Sequence, residues 1–359
     1  MTERIGAHLR DLPLEDMREM LIARGEPEYR FRQLCQWLYG KLACGFDEMT
    51  DLPKPLRVSL AASFHVENAR PALSQVSQLD GTRKHLFELN DGNFIEAVLM
   101  RYEKRTTLCI STQVGCPLDC VFCETAKGRF RRNLTAGEML DQICVLRREG
   151  GVEDKKVNVV FMGMGEPLLN FEALVQAIGV LNHPLGMNLG SKRITVSTSG
   201  FPDRIRRLAD EGLRCSLAVS LNAPDEAKRR AIMPTASRAG IAEILDAALY
   251  FVRSRDRRAT LEYVMLAGVN TSDEDARALG SLAHGLPFKI NLIPYNAGRS
   301  GTFRPTTERE IQRFIRVLLP LAPTVTVRRS RGADIDAACG QLWTNSLATE
   351  KKRPAEGAS

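Results

Sequence analysis

Six short apolar segments alternate with amphipathic stretches between residues 106 and 295. Segments of this kind are typical of buried strands, and the stretches between them are long enough for helices that cross from one strand to the next. A capping box of Thr135 and Glu138 marks the start of the first such helix. The alternation predicts an α/β fold with a parallel sheet, although periodicity alone does not decide whether the sheet closes into a barrel. The strand segments are TTLCIST, KVNVVFMG, RITVSTSG, CSLAVSLNA, ATLEYVML and KINLIPY, followed by a seventh, TVTVRRSRG.

The region before this core has a helical pattern, and we assign residues 1–75 to a small N-terminal accessory domain. Leu14, Met17 and Leu21 recur at helical spacing, and Gly25 is expected to end this first helix. Two more helical stretches follow, EYRFRQLCQWLYGK and DLPKPLRVSLAASF. We expect this domain to bind RNA if the core does.

The remaining boundaries follow from turns and composition. Residues 76–104 are predicted to form a hairpin that leads into the core, with its turn at Asp91-Gly92. Residues 105–345 make up the core together with a C-terminal segment that contains a cysteine. The polar end of the chain, residues 346–359, is predicted to be a disordered tail.

The charge and the termini limit the class of protein. A net charge of +7 indicates either a polyanionic partner or a merely solvated basic surface. No apolar run approaches the roughly 20 residues of a membrane span, and the first residues carry charges where a signal peptide has an apolar core. We therefore expect a cytoplasmic protein that does not enter a membrane. In such a reducing compartment the nine cysteines are not a disulfide framework.

Three of these cysteines lie within the eight residues CPLDCVFC, at positions 116, 120 and 123. A structural zinc site is normally closed by four ligands, and the five histidines of the chain are scattered, with none near this cluster. Thiolate ligands also suit a cubane iron–sulfur cluster, which usually takes four cysteines. Three would leave one iron open to a small molecule. Zinc with a remote fourth ligand and an accidental grouping stay open as alternatives.

The motif CxxxCxΦC, placed after the first strand of a β/α domain, resembles the radical S-adenosylmethionine (SAM) superfamily. The resemblance implies that Cys116, Cys120 and Cys123 hold a [4Fe-4S] cluster and that SAM occupies the fourth iron. The reduced cluster then passes one electron to the sulfonium, which yields a 5′-deoxyadenosyl radical. It also implies a (β/α)6 partial TIM barrel, in agreement with the six repeats.

Further stretches resemble the RlmN/Cfr family of RNA adenine methyltransferases over nearly the whole chain. They are FRQLCQWLYG, FDEMTDLP, IEAVLM, LCISTQVGC, GMGEPLLN and DIDAACGQL. GEPLLN and DIDAACGQL are closer to the branch that methylates adenine C2 than to the branch that methylates C8. The resemblance implies methylation of adenine 2503 of 23S rRNA, in the peptidyl-transferase centre, and of adenine 37 of certain tRNAs. An external electron donor such as flavodoxin is implied as a partner, and we expect a monomer. A C8 methyltransferase and a divergent paralogue with another RNA target remain alternatives.

Catalytic roles also follow from this resemblance. Cys339 matches the cysteine that one SAM methylates and from which a second SAM then removes hydrogen, so that its methylene carbon adds to the base. Cys109 matches the cysteine that resolves the adduct and leaves a disulfide with Cys339. Glu96 matches the proton acceptor. Without the family, Cys109 would be interpreted as a buried strand cysteine and Glu96 as an ordinary strand residue.

Seven positions match the contacts to SAM, and all of them lie at strand ends, where ordinary turn chemistry is the alternative explanation. They are Gly165, Glu166, Ser197, Ser220, Leu221, Asn222 and Asn296. The chain departs from the usual pattern at Asn222, where many members have histidine, and at Glu124-Thr125-Ala126, where alanine-threonine-glycine is common. These departures affect the expected substrate choice and not the expected cluster chemistry.

Basic residues close to the cysteine loop indicate where RNA would bind. Arginines with an aromatic residue suit phosphate contacts and base stacking, and the target base must leave its stack to reach a barrel interior. The residues in question are Lys127, Arg129, Arg131 and Arg132 around Phe130, and later Arg328, Arg329 and Arg331. A non-enzymatic alternative with the same charge pattern is a zinc-stabilised RNA-binding protein.

Overall fold

A ten-stranded mixed sheet forms the centre of the protein in a computed structural model of the chain. The residues that the structure describes are 6–151, 157–255, 258–297, 303–322 and 324–342. The predicted tail at 346–359 therefore lies outside the described residues.

The secondary structure has the following bounds. The strands are β1 (Ala7–His8), β2 (Phe64–His65), β3 (Ala69–Val76), β4 (Arg83–Leu89), β5 (Phe94–Tyr102), β6 (Arg105–Cys109), β7 (Gln113–Val114), β8 (Arg132–Asn133), β9 (Val157–Phe161), β10 (Ile194–Thr198), β11 (Ser216–Ser220), β12 (Ala259–Met265), β13 (Phe288–Pro294) and β14 (Val325–Val327). The α-helices are α1 (Leu14–Ala23), α2 (Tyr29–Cys35), α3 (Lys54–Ser63), α4 (Glu124–Lys127), α5 (Ala136–Gly150), α6 (Phe171–Asn182), α7 (Pro202–Asp210), α8 (Glu226–Ile232), α9 (Ile241–Arg255), α10 (Asp273–Ala283) and α11 (Glu308–Leu318).

Seven strands of the central sheet run parallel and stand side by side in chain order, namely β6, β9, β10, β11, β12, β13 and β14. Each crossover moves one place in the same direction, as in a barrel, whereas the strand order of a doubly wound sheet reverses at a switch point. The predicted partial barrel of six β/α repeats is confirmed, and the short β14 adds the seventh strand. The capping box is also present, because the Glu138 amide donates to Thr135 Oγ1 at 3.1 Å.

Three antiparallel strands, β5, β4 and β3, extend the sheet beyond β6. The predicted hairpin is β4 and β5, and Gly92 in its turn has a φ of +78°, which glycine adopts without strain. Strand β3 falls in a region that the sequence pattern assigned to helices. Its face is mostly exposed and Pro71 lies at a bulge, so it is an edge strand without the alternating pattern that reveals buried strands.

The chain just before the three N-terminal helices contacts the barrel through a buried ion pair. Arg10 donates to Asp141 Oδ1 on α5 at 2.7 Å, and also to the carbonyls of Ala43 and Val66, each at 2.8 Å. His8 lies beside the same carboxylate, with Nε2 and Asp141 Oδ2 3.4 Å apart. The predicted helices are present as α1, α2 and α3, and α2 continues into a π-helical turn over Gln36–Gly40. Among the described residues, none of the helices has the length and apolar character needed to span a bilayer.

Candidate active site

The carboxyl ends of the parallel strands open into a cavity that collects almost all of the predicted site residues. Of those predicted residues, Glu96 and Leu221 are not part of its lining. Because parallel strands all point the same way, residues far apart in the chain meet at this end of the barrel. Those that line the cavity are Cys109, Cys116, Cys120, Cys123, Gly165, Glu166, Ser197, Ser220, Asn222, Asn296 and Cys339.

The cysteine loop lies between β7 and α4 and is held at both ends. Gly115 precedes it with a φ of +76°, and a Cβ there would lie 2.4 Å from the Arg129 carbonyl oxygen, so the position requires glycine. Inside the loop the Val121 amide donates to the Ile232 carbonyl at 3.1 Å, and Asp119 Oδ1 accepts from the Thr235 amide at 2.8 Å. The loop is therefore tied to the segment that follows β11.

The three thiols of this loop all line the cavity. Within the ranges that the structure describes, no three His, Cys, Asp or Glu side chains converge on one metal ion. Burial raises the pKa of the Cys116 thiol to about 12 and that of Cys120 well above its usual value, so metal binding has to displace protons.

Gly165 and Glu166 form a tight turn after β9. Gly165 has a φ of +102°, and a Cβ on it would lie 2.6 Å from Cβ of Gln113. The Glu166 carboxylate is buried and accepts from the Ser199 amide at 2.8 Å, the Ser199 hydroxyl at 2.7 Å and the Leu168 amide at 3.0 Å. Burial raises the pKa of Glu166, while the donors of Ser199 oppose that rise. The carboxylate is thus fixed in orientation at the cavity wall.

The other predicted cofactor contacts lie at the ends of β10, β11 and β13 or just after them. Asn222 follows β11 with a φ of +60°, a left-handed conformation that asparagine tolerates, and its Oδ1 accepts from the Val264 amide at 2.9 Å. Leu221 is fully buried. Asn296 donates from Nδ2 to the carbonyl of Cys339 at 3.3 Å, so it contacts the C-terminal segment directly.

Residues 332–342, called the Cys339 segment below, contribute Ala337, Ala338, Cys339, Gly340 and Leu342 to the lining of the cavity. The Gly340 carbonyl accepts from the Glu124 amide at 2.7 Å, and the Leu342 carbonyl accepts from the Thr125 hydroxyl at 2.8 Å. At its other end Asp334 accepts from the Ser77 hydroxyl at 2.7 Å. Glu124 and Thr125, two of the three residues that depart from the family pattern, therefore contact the Cys339 segment.

Cys109 and Cys339 face the same cavity together with a cation. Cys109 is buried at the end of β6, and Cys339 is exposed to the cavity. Burial raises the pKa of Cys109 to about 12 and raises that of Cys339, and in both cases the Arg328 guanidinium opposes the rise. All nine cysteines are free thiols in this structure, so the disulfide expected during turnover is not formed here.

Two cavity residues were missed by the sequence interpretation. Arg328 was grouped with the RNA-binding cations, but it lines the cavity and donates to the Met162 sulfur at 3.3 Å. Glu262 on β12 also lines the cavity, accepts from Asn291 Nδ2 at 2.7 Å, and has its pKa raised by burial. The available signal was a glutamate inside the apolar strand ATLEYVML and an arginine directly after the last strand.

Glu96 is placed differently from the other predicted catalytic residues. It is fully buried on β5, outside the cavity lining, and its Oε1 lies 3.4 Å from Nζ of the buried Lys84. Its role as a proton acceptor stays a prediction.

Some of the basic residues after the cysteine loop form ion pairs within the protein. Arg132 pairs with Glu138 at 2.8 Å and with Asp91 at 2.6 Å, so it is committed to internal ion pairs. Arg129, Phe130 and Arg131 are exposed next to it. These three residues are available to a ligand that approaches the cysteine loop.

Comparison with known proteins gives matches over both parts of the chain. The family model of the Radical SAM superfamily matches residues 110–279, and that of the Ribosomal RNA large subunit methyltransferase N-terminal domain matches residues 7–66.

Three individual proteins illustrate the similarity. The probable dual-specificity RNA methyltransferase RlmN of Thermotoga maritima is 44% identical over 336 residues, which cover 93% of this chain and 97% of that protein. The dual-specificity RNA methyltransferase RlmN of Geobacter sulfurreducens is 43% identical over 334 residues, 93% of this chain and 91% of that protein. The crystal structure of a radical SAM methyltransferase from Sphaerobacter thermophilus superposes with a TM-score of 0.89 at 43% identity and covers 94% of this chain and 99% of that one.

Proposed function

Because the chain belongs to the RlmN family of radical SAM RNA methyltransferases, we propose that it methylates C2 of one adenine, through a methylated cysteine and with two SAM per turnover. The proposed substrates are adenine 2503 of 23S rRNA and adenine 37 of tRNAs, in line with the dual specificity in the names of its relatives. The observation that carries the proposal is a single cavity lined by five cysteines, namely Cys109, Cys339 and the three cysteines of the loop.

The carbon to be methylated explains why such a cavity is needed. C2 of adenine is an electron-poor ring carbon and a poor nucleophile, so it does not displace a methyl group from SAM directly. A thiolate does so readily. Methylation of Cys339 therefore brings the one-carbon unit into the protein first, on a side chain at the mouth of the cavity.

Cys116, Cys120 and Cys123 would hold a [4Fe-4S] cluster, with SAM at its open iron. When bound, the cluster and SAM supply the one-electron chemistry that activates the S-methyl group. The glycine turn at Gly165 and the oriented carboxylate of Glu166 suit the amino group of SAM. The remaining contacts to SAM are proposed for Ser197, Ser220, Leu221, Asn222 and Asn296.

Release of the product is assigned to Cys109. Its thiolate would attack the sulfur of Cys339, so that an S–S bond forms and the bond from sulfur to the methylene carbon breaks. The electron pair of that bond stays with the carbon, which takes up a proton and becomes the methyl group. Glu96 is the proposed acceptor of the proton that leaves C2, and the one electron that the radical adduct also has to lose would return to the bound cluster. A reductant from outside then has to restore the two thiols.

The RNA would approach over the exposed Arg129, Phe130 and Arg131, with the accessory domain holding the folded RNA beside the barrel. The target adenine has to leave its stack to enter the cavity. We propose that the protein acts as a monomer with an external electron donor such as flavodoxin.

Mass spectrometry of digested RNA tests the proposal. The protein is purified without oxygen and incubated with SAM, a reductant and either 23S rRNA fragments or tRNA. We expect broad visible absorption from the cluster and the formation of 2-methyladenosine. Formation of 8-methyladenosine would favour the C8 alternative, and a colourless protein with one zinc would favour the RNA-binding alternative. RNA from cells that lack the gene should have lost the same modification.

A further inference from the structure

Lys84 is a buried cation that the proposed reaction does not use. It lies on β4 and is 3% exposed, and its neighbour Glu96 on β5 is 0% exposed. In the antiparallel pair Lys84 stands opposite Val98 and Glu96 stands opposite Leu86, so the two charged side chains lie diagonally on one face of the sheet. The Lys84 Nζ and Glu96 Oε1 atoms are 3.4 Å apart.

A buried ion pair of this kind is poor evidence for stability alone. Removing two charges from water costs more than their attraction usually returns, and a well-packed apolar pair often serves the fold as well. A lysine and a glutamate on adjacent strands of a buried sheet face therefore call for a second explanation.

The same ammonium group also contacts the Cys339 segment. Lys84 Nζ donates to the carbonyl of Asp336 at 3.3 Å. Asp336 ends a short 3₁₀ turn, Ala333–Ile335, with a φ of +51°, and three residues later the chain reaches Cys339. The position of the Asp336 carbonyl thus sets the direction in which the chain continues toward the cavity.

Other contacts hold the segment on both sides of Asp336. The Gly332 amide donates to Asp80 Oδ2 at 3.0 Å, and Thr125 holds the Leu342 carbonyl. Lys84 adds a contact between these two anchors, and the same ammonium group lies next to the carboxylate of Glu96.

We propose that Lys84 is a positioning residue for both halves of the reaction, an inference that rests on the roles proposed for Glu96 and Cys339. Its charge, 3.4 Å from Oε1, favours the ionised form of Glu96, which is the form that accepts a proton, whereas burial favours the neutral carboxyl. Its hydrogen bond to Asp336 aligns the Cys339 segment. Proton acceptance and placement of the sulfur therefore depend on one ammonium group.

The test compares four variants of the full, iron-loaded protein. Lys84→Met removes the charge and nearly keeps the length of the side chain, while Lys84→Arg keeps the charge. Lys84→Gln keeps one hydrogen-bond donor without charge and serves if the methionine variant does not fold. Arg83→Met is the matched control, because Arg83 is the next residue on β4 and its guanidinium donates to the Glu149 carbonyl at 3.5 Å, away from the site.

The measurement is the release of covalently linked RNA in a single turnover, followed on denaturing gels across a range of pH. In Lys84→Met and Lys84→Gln we expect the linked species to persist, with release slowed about tenfold or more at neutral pH. Raising the pH should restore release, because loss of the Lys84 charge makes Glu96 hold its proton to a higher pH. Lys84→Arg should recover the rate and the pH profile, and Arg83→Met should match the unmodified protein.

Two results would overturn the inference. One is release with an unchanged rate and pH profile in Lys84→Met or Lys84→Gln. The other is an equal loss of iron binding, Cys339 methylation and release, with an unmoved pH profile and no recovery in Lys84→Arg, which would indicate a structural role. If the unmodified protein neither gains a methyl group on Cys339 nor methylates RNA, the proposed function itself fails, and that outcome is separate from both.

Discussion

The hydrogen bond from the Thr125 hydroxyl to the Leu342 carbonyl leads to a quantitative prediction about the Cys339 segment. Thr125 and Leu342 are 4% and 5% exposed, so water does not reach the carbonyl when the hydroxyl is lost. The bond is 2.8 Å long. Replacement by valine keeps the shape of the side chain and leaves a buried acceptor unpaired, at a cost of about 1–3 kcal/mol.

That cost falls on the docked state of the segment. It corresponds to an increase of roughly 5-fold to 150-fold in the population of locally opened molecules. The Gln341 amide reports on this opening, because it donates to the Ala338 carbonyl at 3.0 Å within the same turn. Hydrogen exchange of that amide in Thr125→Val should accelerate by this factor, and methylation of Cys339 should slow.

Thr125→Ser is the control, since it keeps the hydroxyl and loses only a methyl group. Its Gln341 amide should exchange at nearly the original rate. The reasoning would be refuted if the amide exchanged equally fast in the valine variant and the unmodified protein. It would also be refuted if the serine variant opened as much as the valine variant.

Three further predictions concern the cavity. Cys109→Ala should trap RNA covalently on Cys339, visible as a protein–RNA species that resists denaturation, and normal turnover in this variant would exclude the resolving role. Arg328→Met should slow Cys339 methylation at neutral pH and shift its pH profile to higher pH, because burial already raises the pKa of both thiols and Arg328 limits that rise. The measurement is the rate of methylation as a function of pH, and an unchanged profile would contradict the prediction. Gly165→Ala should reduce the free energy of unfolding by roughly 2 kcal/mol or more, because of the positive φ and the 2.6 Å approach to Gln113. Equilibrium dialysis should show that this variant binds SAM more weakly. The control Gly151→Ala, at a φ of +56° with no atom within 4 Å, should bind SAM normally.

The parallel core could be predicted from the sequence because its strands are buried on both faces and are separated by amphipathic helices. Strand β3 could not, since Pro71 and an exposed face remove the pattern on which strand prediction depends. The cysteines at positions 116, 120 and 123 were recognisable from local spacing alone.

The interior of the site was harder to predict. Whether Arg328 points into the cavity or toward solvent depends on how the last strand meets the barrel, which local sequence does not record. The link from Lys84 to Asp336 joins residues 252 positions apart, and it follows from the path of the folded chain. Glu262 could be noticed in the sequence as a charged residue within an apolar strand, but the sequence does not show toward which end of the barrel its side chain lies.

The two sets of proposed functions occupy different stretches of the chain. The cluster loop and most of the proposed SAM contacts lie within residues 110–279, the part that matches the Radical SAM superfamily. The residues proposed to carry, release and deprotonate the substrate, namely Cys339, Cys109 and Glu96, all lie outside it. On the proposed roles, the residues that generate the radical and the residues that act on the RNA are encoded in separate stretches of the chain. We therefore expect that substitutions around Cys339 and Glu96 would alter the choice of target without altering how the radical is generated.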